Sequence, residues 1–249
     1  MFQTVAYRQA AAGVSTSLKA LTPLPDPTVH IEGTVLYVGA LNRLMMVYPL
    51  GVGMTQARLD APSLRRVYLP DLNPIDTLAE PASPALGIIN LEAPLALLRG
   101  EGLQVFAAGP STPTNDLWSI VNLCDVPILP VKGEIFTIRC TVTTATTANA
   151  WSNQELVFGQ TLPVGRYQVV GAAIVSATGL AFRLVPIGGG SRAGGMAQDA
   201  VGDIVPRGQR YGGWGVWCEF DSHTPPSIDF LTIAAETPSG VFLDLIKVA

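Results

Sequence analysis

Apolar and polar residues alternate along much of the chain with a period of two. In "IFTIRCTV", residues 135–142, Phe136, Ile138, Cys140 and Val142 fall on one side and Thr137, Arg139 and Thr141 on the other. That is the pattern of a strand with one buried face. "VWCEFDSH", residues 216–223, repeats it, with Val216, Cys218 and Phe220 pointing one way and Trp217, Glu219, Asp221 and His223 the other. The same reading predicts short strands over 34–41, 44–48, 103–107, 117–123, 166–175, 180–185, 228–234 and 241–248. Helix signals are scarce. "EAPLALLRGEG", residues 92–102, has Pro94 suited to a first helical position and Gly100 to a stop, and a shorter helix is expected in "APSLRR", residues 61–66. With 25 Gly and 20 Pro punctuating many short strands, the expected fold class is all-β, built of antiparallel sandwiches or barrels with very little helix.

One strand departs from simple alternation. In residues 166–176 both faces are apolar, Tyr167, Val169, Ala173 and Val175 on one and Val170, Ala172 and Ile174 on the other. A strand wetted on one side does not read so, and a neighbouring barrel or another subunit is the simplest cover for the second face.

"DVPILPVKG", residues 125–133, carries Pro127 and Pro130 and reads as an extended linker near the midpoint. Either side of it the chain repeats weakly. An offset of 113 lays Leu103 on Val216, Pro113 on Pro226, Asp116 on Asp229, Ser119 on Thr232 and Ile120 on Ile233. Earlier in each half, "TVLYVGALNRLMMVYP" parallels "YQVVGAAIVSATGLAFRLVP", two apolar strands closing on Pro49 and Pro186. Two tandem β domains are expected, 1–126 with an N-terminal arm and 127–249.

Composition narrows the function classes. Charged residues are 14% of the chain and hydrophobic ones 48%, so a folded monomer leaves apolar surface showing, the usual mark of association. The net charge is −4 and only Lys19, Lys132 and Lys247 are lysines, with Arg65-Arg66 the densest basic cluster. Direct nucleic-acid binding by phosphate neutralisation is therefore not expected. Cys124, Cys140 and Cys218 are odd in number and far apart, unlike a disulfide framework. The opening residues lack the apolar run of a signal peptide, and the longest uncharged apolar stretch, 167–182, is too short and too polar for a transmembrane helix. A soluble protein is expected.

Four constellations invite chemistry. "RLVPIGGGSRAGGM", residues 183–196, contains Gly188-Gly189-Gly190-Ser191-Arg192-Ala193, a G-x-G-x-x-A run, but no βαβ unit follows to present a helix N-terminus to a pyrophosphate. Gly189 to Ala193 also fits G-x-S-x-A around Ser191, yet a nucleophile elbow needs an α/β sheet and a histidine base, and the chain has only His30 and His223. Glu219, Asp221 and His223 share a strand face, as a two-carboxylate, one-histidine metal site requires, although the His-x-His strand of cupins is missing. Trp118, Trp151, Trp214 and Trp217 are candidate sugar platforms, or core and interface anchors. The reading assigns no catalytic, cofactor-binding or metal-ligating residue and expects no enzyme.

Two tandem β halves, few charges and no usable active site give a sequence that resembles the double jelly-roll major capsid proteins of tailless icosahedral viruses, particularly bacteriophages. Three segments carry the resemblance: "TQARLDAPSLRRVYLPDLNPI", "LPVGRYQVVGAAIVSA" and "RYGGWGVWCEFDSHTPPSIDFL". The resemblance implies two eight-stranded jelly rolls side by side and three copies in a pseudo-hexameric capsomer of an icosahedral shell. It implies as partners the chain itself, other capsid or vertex proteins and an internal lipid membrane at the inner face. Its implied location is the virion, after synthesis in the host cytoplasm. At 249 residues the chain is short for that family, so its loops must be brief. A carbohydrate-binding β-sandwich, such as a phage spike or adhesin, is the alternative, followed by a cupin-like metal enzyme.

Overall fold

The computed structural model describes residues 1–9, 16–17, 19–20, 30–32, 35–51, 56–63, 87–88, 95–108, 117–125, 127–197 and 209–248. It divides into two compact units, Val5–Pro127 and a second made of Met1–Thr4 with Ile128–Ala249. The described residues are nearly all β and contain no α-helix.

Among the described residues eleven strands precede the boundary: β1 Phe2–Gln9, β2 Thr16–Ser17, β3 Lys19–Ala20, β4 His30–Glu32, β5 Val35–Tyr37, β6 Arg43–Gly51, β7 Gln56–Asp60, β8 Gly87–Ile88, β9 Leu95–Ala96, β10 Gly102–Ala108 and β11 Leu117–Cys124. They form one sheet in the order β3-β1-β11-β6-β8, with β9 also on β6, and another in the order β2-β10-β5-β4, with β7 also on β10. Leu44, Tyr48, Leu103, Trp118, Ile120 and Leu123 are buried at 1% exposure or less, and the Tyr7 hydroxyl donates to Leu103 O at 3.0 Å. Burial of each such side chain contributes about 1.5–3 kcal/mol.

Nine strands follow among the described residues: β12 Phe136–Thr141, β13 Trp151–Gln154, β14 Val157–Phe158, β15 Arg166–Val175, β16 Gly179–Val185, β17 Gly194–Met196, β18 Cys218–Asp221, β19 Ser227–Thr232 and β20 Gly240–Lys247. Their sheets run β14-β12-β20-β15-β18 and β13-β19-β16-β17. The alternation in β12 is kept, with Ile138 and Cys140 buried and Thr137, Arg139 and Thr141 exposed. Aromatic pairs fill the core: Tyr167 stacks on Phe220 at 5.6 Å, and Trp217 stacks on Trp214 at 5.9 Å and Phe182 at 6.2 Å.

One sheet has the same order of strands in both units, and the repeat is one strand out of step with the offset of 113. That offset lays β11 on β19. Yet β11 lies between β1 and β6 as β20 lies between β12 and β15. A bulge fixes the register. Asn122 pairs with Met46 and Leu123 with Leu44, leaving Met45 extra, while Asp244 pairs with Gly171 and Leu245 with Val169, leaving Val170 extra. Thus Asn122 corresponds to Asp244, an offset of 122, and Met46 to Gly171, an offset of 125. Likewise β6, ending near Pro49, matches β15 and not the strand that ends at Pro186. Apolar strands joined by Pro-containing turns look alike, so sequence pattern alone slid by a whole strand.

Other expectations also change. Where a helix was expected over 92–102, Leu95–Ala96 pairs with Arg43 and Leu44 as β9, and residues 99–100 turn. Glu101, which is buried, organises that turn, accepting from Leu98 N at 2.7 Å, from Ser63 N at 2.8 Å and from the Ser63 hydroxyl. Residues 61–63 of the second expected helix run into a turn, and 64–66 lie outside the described residues. Of 34–41 only Val35–Tyr37 is strand. In 216–223 the strand is Cys218–Asp221, and Trp217 is buried in the core instead of sharing the exposed face of Glu219.

The second face of β15 is covered from within its own unit. Trp217 N donates to Val169 O at 2.8 Å, Gly212 N to Val170 O at 2.7 Å and Gln209 Nε2 to Ala172 O at 3.3 Å. The segment 209–217 comes so close that a Cβ on Gly171 would lie 2.9 Å from Arg210 Cα and Tyr211 N. Contacts within the unit are enough to explain the apolar face.

Candidate functional site

The Gly-rich stretch 186–193 connects β16 to β17, and its backbone explains its composition. Leu184 N donates to Ala193 O at 2.7 Å, Gly188 takes a φ of +69°, and β17 presses so close that a Cβ on Gly194 would stand 1.9 Å from Phe182 O. What the loop holds is protein. Arg192 N donates to Phe2 O at 2.7 Å and Thr4 N donates to Arg192 O at 3.0 Å, a parallel bridge between Gln3 and Arg192. Ser191 Oγ accepts from Phe2 N at 3.1 Å and lies 3.3 Å from Phe2 O and 3.2 Å from Trp217 O. The hydroxyl considered as a nucleophile is thus engaged with backbone on two segments.

Next to this loop is a shallow cavity of about 220 Å³ lined by Arg166, Ile187, Glu219, Phe220, Asp221 and Thr224. The three residues weighed as a metal set do not converge in it. Glu219 is bound by Arg166 Nη2 at 2.6 Å and Gln168 Nε2 at 2.7 Å, both across the β15–β18 pairing. Asp221 Oδ1 accepts from His223 N at 2.9 Å and Asp221 O from Thr224 N at 2.8 Å, so the carboxylate shapes the turn after β18 and leaves the His223 ring in solvent. Among the described residues no three His, Cys, Asp or Glu side chains gather as metal ligands. His30 lies in β4, and its side chain is outside the described residues.

Three of the tryptophans have little face to offer a sugar: Trp118, Trp214 and Trp217 are at most 3% exposed. Trp151 is half-buried, with the Arg183 guanidinium 4.4 Å from its ring centroid. Arg183 in turn pairs with Asp229 Oδ2 at 2.8 Å and donates to Thr4 O at 3.4 Å. Burial holds its pKa below the ordinary arginine value, with the nearby Arg192 charge acting the same way and Asp229 opposing both. Cys140 and Cys218 are free thiols, and burial pushes both up to about 12, Cys218 with help from the Glu219 charge.

Sequence reading passed over the strongest polar contact. Asp244 in β20 is fully buried on the face turned away from Ile138 and Cys140. It accepts from Arg210 Nε at 2.7 Å, Arg210 Nη2 at 2.9 Å, Thr137 Oγ1 at 2.7 Å and Tyr211 N at 2.9 Å. Burial alone raises a carboxylate's pKa, but these donors outweigh it and hold Asp244 below the usual range. Arg210 is raised by the same bonds. A lone carboxylate inside the apolar run "VFLDLIK" was the available signal, because an unpaired charge is almost never buried.

No protein family and no curated protein matches the chain. A search of solved structures finds similarity to the xanthan lyase of Paenibacillus at 13% identity and a TM-score of 0.22, covering all of this chain and 25% of that one. The chain therefore spans about a quarter of that protein, and a likeness this slight carries no argument about fold or activity.

Proposed function

We propose that the chain is a structural protein of a virus particle, a major capsid protein whose two units are jelly rolls and whose copies associate, as pseudo-hexameric trimers, into an icosahedral shell. The observation that carries this reading is one strand order used twice. Numbering β12, β13 and β15 to β20 as eight successive strands, the sheets run 1-8-3-6 and 2-7-4-5, an interleaving that supports the jelly-roll reading. In Val5–Pro127, numbering β1, β2, β6, β7, β8, β10 and β11 as strands 1, 2, 3, 4, 6, 7 and 8, β1-β11-β6-β8 gives 1-8-3-6 again and β10 pairs with β2 and β7 as 7 pairs with 2 and 4, while β10 also pairs with β5, and β5 with β4, two strands without a counterpart in the other unit. Jelly rolls also serve lectins and cupins. The placement of Glu219, Asp221 and His223, and the burial of three of the four tryptophans, favour neither of those uses.

Composition supports self-association. Leu129, Val164, Ile187 and Tyr211 are 73%, 72%, 73% and 62% exposed in a chain whose charged residues are only 14%. Modest contacts of this kind become stable when closed symmetry repeats them. The test is sedimentation velocity across a wide concentration range with negative-stain microscopy of the heaviest species. Trimers and shells are expected, and a monomer at every concentration overturns the proposal.

A further inference from the structure

Among the described contacts of Met1–Thr4, those to the loop after β16 are unlike ordinary core packing. They run from backbone to backbone, Arg192 N to Phe2 O and Thr4 N to Arg192 O, or through one hydroxyl, Ser191 Oγ. Met1 rests its thioether on Gly190, where a Cβ would just touch it at 3.6 Å. Ser191 also reaches Trp217 O, so the trough is fixed to the core independently of what lies in it. We propose that this trough is a strand-accepting site, for which Met1–Thr4 is a detachable ligand and the same segment of a second copy of this chain is the partner it fits.

Two features favour detachment. Phe2 and Ser191 are 189 residues apart, so no local chain geometry forces the contact. Gln3 is fully buried, yet neither Oε1 nor Nε2 of its side chain finds a hydrogen-bond partner, so leaving the trough restores hydration to a polar group. Recognition is β-augmentation: main-chain bonds give affinity, while the burial of Gln3 selects the side chain.

The test uses the chain lacking residues 1–4 and a fluorescent peptide of sequence MFQTVA, read by anisotropy. Saturable binding is expected to the shortened chain, at least tenfold weaker binding to the full chain, whose trough is filled, and about tenfold loss in the shortened chain with Ser191→Ala. A folded shortened chain that ignores the peptide, or a full chain that binds it equally well, overturns the proposal. Should the shortened chain not fold, hydrogen exchange in the intact chain decides. Opening of the trough alone predicts Thr4 and Arg192 amides that exchange well before the β15–β20 core, and exchange only in step with that core overturns it. The outcome is independent of shell formation, because each arm is read on isolated chains.

Discussion

Asp244→Asn is the sharpest perturbation the fold offers. The side chain keeps its shape and one acceptor oxygen but loses the charge that Arg210 grips through Nε and Nη2, and its amide nitrogen cannot accept from Thr137, Arg210 or Tyr211. Breaking a buried pair from one side costs about 3–5 kcal/mol. Because the Arg210 side chain is 19% exposed and can turn to water, the cost falls to the bottom of that range or just below it, about 2–3 kcal/mol. For a chain of this size that lowers Tm by about 4–12 °C. The loss has a local signature, since Arg210 and Tyr211 begin the segment that leads to Trp214 and Trp217, whose emission is expected to shift to the red. It also has a pH signature. The folded pKa lies below the ordinary 3.8, so the stabilisation is complete above that value and is lost as pH falls through the folded pKa. Asp244→Asn is therefore expected to flatten the acid limb of the stability profile below about pH 4 while lowering the neutral plateau. Differential scanning calorimetry from pH 2 to 8, with tryptophan emission alongside, reads both. A Tm at pH 7 within 1 °C of the parent, with unshifted emission, would refute the claim that this carboxylate pins the segment over β15.

Other expected outcomes follow from single contacts. Gly194→Ala drives a Cβ to within 1.9 Å of backbone at Phe182 and is expected to cost about 3 kcal/mol, whereas Gly188→Ala, at φ +69° in open space, costs about 1 kcal/mol; thermal melts of the two variants rank them. Trp217→Ala empties a core position stacked on Trp214 and Phe182 and is expected to lose about 3–5 kcal/mol in urea titrations, with no glycan-array signal in parent or variant. His223→Ala removes a solvent-facing ring and is expected to leave stability within about 0.5 kcal/mol of the parent, and metal content by plasma mass spectrometry unchanged.

β12 was legible because alternation is a direct print of the pleat, and β15, β16 and β20, buried along most of their length, were legible as apolar runs between turn residues; all four stand within a residue or two of where the pattern put them. β1 was missed because it shows neither pattern. Gln3, Thr4, Val5, Ala6 and Tyr7 are all buried, so no polar face breaks the run, and two polar residues among them disguise it as a tail. The helix expected over 92–102 rested on Pro94 and Gly100, but Gly100 at φ +81° serves a turn held by the buried Glu101, a carboxylate whose partners at Ser63 and Leu98 no local rule connects. The polar face of 216–223 failed at Trp217, whose neighbours Phe182 and Val169 come from other strands.

The Gly-rich loop sets the limit of such reading most clearly. Its motif matched phosphate cradles and nucleophile elbows because all three need backbone freed from side chains, and sequence alone cannot say what approaches that backbone. Here the approaching group is residues 1–4 of the same chain, so the specificity lies in a pairing across 189 residues. The duplicated strand order carries the same lesson at larger scale. Met45 and Val170 occupy corresponding bulges, and Asn122 and Asp244 face them from corresponding strands, yet no two of these four residues are identical. What the two units share is a demand of geometry, one extra residue in the strand beside the last one. Volume and polarity at that point were free to diverge, and in one unit a carboxylate there was recruited to hold a covering segment.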